Sequence, residues 1–154
     1  SKLVIVDIAP KGYPPSQRPI LAALTKLELQ SFGTFGEIDA ALAPAIPETS
    51  VRQFLMKNIA RVPSGGFQWR IDLASIAKSY DQLTKPIIAA GPYDKPALFV
   101  RGGRSDYIAD TDLPSIRATF MGAELVTIAT AGHWVHAEAS DEFLQILTAF
   151  LNKP

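Results

Sequence analysis

The sequence predicts an α/β fold: a parallel sheet with flanking helices and a helical insertion. Three observations predict it. Leu3 to Ile8, Ala97 to Val100 and Leu125 to Ile128 are short apolar runs, amphipathic stretches follow the last two, and a long helix-patterned segment separates the first two. Runs that are apolar on both faces read as central parallel strands covered by helices on each side.

The elements follow in order. Leu3 to Ile8 is the first strand, with Asp7 at its carboxyl end. From about 13 to 90 the pattern changes to helices near Ile20 to Gln30, Gly36 to Leu42, Thr49 to Ala60 and Leu73 to Leu83, punctuated by Pro44, Pro47, Pro63, Gly65 and Gly66. Within it, Phe67-Gln68-Trp69-Arg70 alternates apolar and polar residues and predicts a short extended piece. The second strand is entered through Pro96 and left through Gly102-Gly103, which reads as a tight turn. Thr111 to Phe120 is a helix with Pro114 in its first turn, where a missing N–H does no harm. The third strand leaves through Ala131-Gly132, and Ser140 or Asp141 is expected to cap a last helix carrying Phe143, Leu147 and Phe150 on one face. Residues 1–12 and 91–154 are thus expected to form the core and 13–90 the insertion.

Length and composition bound the function. At 154 residues and 47% hydrophobic content the chain supports one folding unit with a real core. Fifteen basic and fifteen acidic residues cancel, and no Lys/Arg stripe tracks phosphates, so nucleic acid is not an expected partner. The absence of cysteine excludes thiolate chemistry. The apolar run Leu3-Val4-Ile5-Val6 is far short of the roughly 20 residues a membrane span needs. Ser1 stands directly before a strand that should be buried, and three strands would leave that strand as an unprotected edge. Both features lead to the expectation of a C-terminal portion of a longer protein.

Chemistry concentrates after the strands. Arg101-Gly102-Gly103-Arg104-Ser105-Asp106-Tyr107 follows the second strand and Ala131-Gly132-His133-Trp134-Val135-His136 the third. An acid and a histidine past strand ends are two thirds of a hydrolase triad. No serine lies in G-x-S-x-G, the signature of a nucleophile on a strand-to-helix turn; Gly103-Arg104-Ser105-Asp106-Tyr107 fails at its last position. His133 and His136 at i, i+3 lack the carboxylate pattern of a helical zinc site, so no metal is expected. Gly102-Gly103 lacks the spacing of a phosphate-cradling loop. Asp72, Asp110 and Asp112 read as residues at helix N-termini, where the dipole favours negative charge. Phe32, Phe35, Phe54, Leu55, Met56, Phe67 and Trp69 could line an acyl pocket or pack the insertion on itself.

Four motifs in order, Val6-Asp7-Ile8-Ala9-Pro10, Phe67-Gln68-Trp69-Arg70, Gly102-Gly103-Arg104-Ser105-Asp106-Tyr107 and Gly132-His133-Trp134-Val135-His136-Ala137-Glu138, resemble α/β-hydrolases of the YbfF-type acyl-ester and acyl-CoA esterase group. The resemblance covers the whole chain but only the C-terminal half of such an enzyme. It implies the last strands of an α/β-hydrolase sheet, residues 13–90 as an inserted helical cap, and a Ser-His-acid triad completed by an N-terminal half as partner. That half would bring the elbow serine and the oxyanion-hole amides. His133 is then the general base and His136 a loop or supporting residue. For the acid two positions stay open: Asp106, where most of the superfamily keeps it, stands first, and Asp7, the position YbfF-like esterases use, second. The implied activity is hydrolysis of a carboxylic ester or acyl thioester, without cofactor, by a cytoplasmic enzyme that this piece alone would not reconstitute. Other reactions of the scaffold, on epoxides, peroxides or carbon–carbon bonds, and a non-catalytic binding or scaffolding role are the alternatives.

Overall fold

The computed structural model describes all residues, Ser1–Pro154. They form two compact units, Ser1–Gly12 with Pro86–Pro154, and Tyr13–Lys85.

The first unit is built on a three-stranded parallel sheet of β1 (Leu3–Val6), β4 (Ala97–Gly102) and β5 (Ala123–Ile128), in the order β1-β4-β5. Leu3 pairs with Ala97 and Val6 with Val100, while Ala97 pairs with Ala123 and Gly102 with Ile128. The in-phase register brings the carboxyl ends of all three strands to one side. β4 is the central strand and is buried along almost its whole length. Its side chains alternate between two cores, as a period of two requires. Leu98 and Val100 join Ile128, Ala131, Val135 and Phe150 on one face, whereas Ala97 and Phe99 join Ala9, Ile108 and Ile116 on the other. Helix α7 (Ser140–Leu151) supplies Phe150 to the first core and α5 (Leu113–Thr119) supplies Ile116 to the second. The residues of β1 are only half-buried, which is the expected state of an edge strand.

Local signals mark some of the element ends. Pro114 lies in the first turn of α5. By contrast, neither Ser140 nor Asp141 caps α7 with its side chain. That helix follows α6 (Val135–Glu138) after a single residue, and the Phe143 N–H is satisfied by the Ala139 carbonyl, 2.9 Å away.

The second unit packs α1 (Arg18–Thr25), α2 (Phe35–Leu42), α3 (Thr49–Met56) and α4 (Leu73–Leu83) with an antiparallel hairpin of β2 (Ile59–Arg61) and β3 (Phe67–Trp69). Its core is Leu24, Leu29, Ile38, Leu42, Ile46, Ile59, Phe67 and Leu73. Thr34 caps α2 by accepting the Glu37 N–H, and Asp72 caps α4 by accepting the Ser75 N–H. Two elements depart from their sequence reading. The helix expected to reach Ala60 stops at Met56, because Ile59 takes a buried place opposite Trp69 in the hairpin. The helix expected over Ile20 to Gln30 begins at Arg18, with Pro19 in its first turn, and ends at Thr25, whose hydroxyl bonds back to the Leu21 and Ala22 carbonyls. Of the larger apolar residues singled out in the insertion, Phe67 is fully buried and Phe32, Leu55, Met56 and Trp69 pack around the same core. Phe35 and Phe54 remain exposed.

Candidate active site

Asp7, directly after β1, is the one non-glycine residue with a left-handed backbone, at φ 49°. Such a conformation is uncommon for a residue bearing a Cβ and collects at functional sites, with aspartate among the residues that tolerate it best. The side chain is fully buried and receives three donors. The Gly102 N–H donates to Oδ1 at 3.0 Å, the Ser105 hydroxyl donates to Oδ2, and His133 Nδ1 lies 2.8 Å from Oδ2. A buried carboxylate needs such partners.

Because a carboxylate only accepts, the proton between Asp7 and His133 resides on Nδ1. With Nδ1 as the donor, the neutral form of the ring leaves the lone pair on Nε2, as a proton acceptor must. His133 follows the strand end of β5 and its side chain is 45% exposed, so the ring is held at its inner nitrogen and open at its edge. The phenol ring of Tyr107 stacks on the imidazole with 3.9 Å between centroids and 19° between planes.

The loop after β4 approaches this site very closely. A Cβ on Gly102 would fall 2.0 Å from the Gly132 carbonyl oxygen, and one on Gly103 would fall 2.7 Å from Ala129 Cα. The glycine pair thus admits close backbone passage beside the histidine loop, in addition to the turn closed by the Ser105 N–H on the Gly102 carbonyl.

The three expected residues are treated unequally. Asp7 and His133 are brought together, whereas Asp106, the acid placed first from the sequence, is exposed and is not the hydrogen-bonding partner of His133. One position separates it from Ser105, whose hydroxyl turns inward to Asp7. His136 lies exposed on α6. Asp110 and Asp112 form ion pairs with Arg101 and Lys11, at 2.7 and 2.6 Å, around the start of α5. Nowhere do three His, Asp or Glu side chains converge in a way that could hold a metal ion. Sequence reasoning missed Ser105 as an acid partner, Tyr107 as the stacking ring and Glu138, which bonds the His133 loop. Their only signal was proximity in sequence to Gly102-Gly103 and His133.

The arrangement can take a proton at Nε2, hold the resulting imidazolium against a buried anion, and return the proton. Ser105 is directed at the acid rather than at Nε2, so it does not occupy the place of a nucleophile.

No protein-family model matches the chain. Among curated proteins it is 33% identical to the sn-1-specific diacylglycerol lipase ABHD11 of Mus musculus and 32% identical to the esterase YbfF of Escherichia coli, over 97% and 98% of its own length. A solved structure described as a marine microorganism esterase superposes with a TM-score of 0.93 at 38% identity, over 97% of this chain and 60% of that one. The chain spans about half the length of the curated relatives it matches, 50% of the mouse protein and 58% of the E. coli one. A parallel sheet flanked by helices, an acid–histidine pair at the strand ends and similarity along nearly its whole length agree: the chain has the α/β-hydrolase fold over the part of those esterases that it spans.

Proposed function

We propose that this chain supplies the general base and its orienting acid to a serine hydrolase that cleaves a carboxylic ester or acyl thioester. His133 is the base and Asp7 the acid. The nucleophilic serine and the oxyanion-hole amides lie in a further part of the enzyme, outside these 154 residues, which pairs with the open edge of β1. The observation that carries the reading is the 2.8 Å bond from His133 Nδ1 to the buried Asp7. The 45% exposure of the His133 side chain and the ester chemistry in the names of the similar lipase and esterases support it.

In this mechanism the serine hydroxyl gives its proton to His133 Nε2 as its oxygen bonds to the carbonyl carbon. The collapsing intermediate breaks the carbon–oxygen or carbon–sulfur bond, and the leaving group takes the proton from His133. Water then attacks the acyl-serine, His133 accepts its proton, and the acid is released as that proton returns to serine. Asp7 keeps Nδ1 protonated throughout and stabilises the positive ring, without itself taking the proton.

The test uses the full-length enzyme with 4-nitrophenyl butyrate and butyryl-CoA as substrates. A fluorophosphonate is expected to label one serine outside this chain, and His133→Ala to reduce turnover of the preferred substrate by at least about 10³-fold. Turnover within about tenfold of wild type in His133→Ala, or labelling of Ser105, would refute the proposal.

A further inference from the structure

Glu138, at the end of α6, reaches back across the loop that carries His133. Its Oε2 accepts the Gly132 N–H at 3.0 Å and its Oε1 accepts the Trp134 N–H at 3.2 Å. These are the amides immediately before and after the histidine. A third bond comes from Arg104, whose guanidinium lies 3.2 Å from Oε2. Arg104 precedes Ser105, the residue that donates to the triad acid, and is the charged group facing this carboxylate.

We infer that Glu138 is a positioning residue for His133, a carboxylate that clamps the backbone on both sides of the base and ties that loop to the one holding Asp7. The inference rests on the reading of His133 as the base. Its physical content is geometric. A residue on an irregular loop has no ladder of backbone bonds to fix it, and the Asp7 bond fixes only the ring. Rotation of the peptide planes at 132 and 134 would swing Nε2 on an arc about that bond. Two charge-assisted bonds on one rigid carboxylate remove this freedom, and a displacement near 1 Å at a reacting atom costs on the order of 10²-fold in rate. The close fit at Gly132 agrees, since a Cβ there would lie 3.0 Å from Glu138 Oε1. The lowered pKa of Glu138, caused first by the bond from the Gly132 amide, keeps the clamp ionised through the neutral range.

The experiment compares Glu138→Gln and Glu138→Ala with wild type and His133→Ala in the full-length enzyme. Glu138→Ala is expected to lower kcat about 10²-fold and Glu138→Gln about tenfold, with KM within about twofold, because the amide can accept only one of the two N–H groups. In amide NMR spectra, the Gly132 and Trp134 protons are expected to shift together as the wild type is acidified through the carboxylate range and to lose that response in Glu138→Gln. A merely structural role would lower the melting temperature and leave kcat of the folded fraction intact. If Glu138→Ala does not fold, Glu138→Gln alone carries the test. A kcat within about twofold of wild type in the folded variants, or unchanged amide titrations in Glu138→Gln, overturns the clamp. Retained turnover in His133→Ala would instead overturn the base, and the amide titrations would still report whether the clamp exists.

Discussion

At the scale of single residues, the decisive feature is that one carboxylate is buried with three donors and the neighbouring candidate is in water. Asp7 has its oxygens fully engaged by Gly102, Ser105 and His133. Replacing it by asparagine keeps the shape but places an amide where two donors already point, so the imidazole is free to turn or to protonate at the other nitrogen. In the full-length enzyme Asp7→Asn is therefore expected to lower kcat by about 10³- to 10⁴-fold, and Asp106→Asn by less than about threefold. The reverse order in steady-state kinetics would restore Asp106 as the acid. The sequence showed both aspartates at strand ends. Its ranking of Asp106 first is reversed by the geometry, because a left-handed residue at position 7 is a product of the sheet and loop that surround it and leaves no local signal.

Among elements, the carboxyl end of β4 and the loop after β5 pack backbone against backbone. Gly102→Ala would drive a methyl into the Gly132 carbonyl and displace the amide that bonds Asp7. The expected loss is about 2 kcal/mol or more in denaturant unfolding. Gly122→Ala, where no atom lies within 4 Å of the added carbon, should stay within about 0.5 kcal/mol. Equal effects of the two substitutions would contradict this account of Gly102. The strands were legible as apolar runs and α4 as a periodic stretch behind an aspartate cap. The hairpin partner Ile59–Arg61 was not, since three residues carry no period and Ile59 reads equally as one more turn of helix.

Across the whole molecule, carboxylates in both units are held below their ordinary pKa, and each does so through local bonds. In the unit Tyr13–Lys85, the Gly33 amide lowers Glu37, Arg52 lowers Asp39 and the Ser75 hydroxyl lowers Asp72. In the sheet unit the Gly132 amide lowers Glu138, and for Asp112 burial pushes upward but Lys11 and the Ala109 amide outweigh it. A folded pKa below the unfolded one means that the unfolded chain binds protons more readily. The stabilisation is present above the ordinary values of 4.5 for glutamate and 3.8 for aspartate, and is lost as pH falls through the lowered ones. The melting temperature by circular dichroism should hold steady from pH 7 to about 5 and fall below about pH 4. An equal melting temperature at pH 3 and pH 7 would show that these bonds do not favour the folded state.

The sequence by itself determined the α/β class, the three parallel strands and the strand-end places of His133 and both aspartates, because apolar period, turn residues and loop motifs are local properties of the chain. Tertiary structure decided that β4 is central, that Asp7 rather than Asp106 faces the imidazole, that Ser105 bonds that acid, that Tyr107 stacks on the ring and that Glu138 bonds the amides on either side of His133. Those outcomes depend on which strand ends become neighbours and how closely two loop backbones approach. Residues 126 positions apart meet at hydrogen-bonding distance only when the sheet register has aligned them.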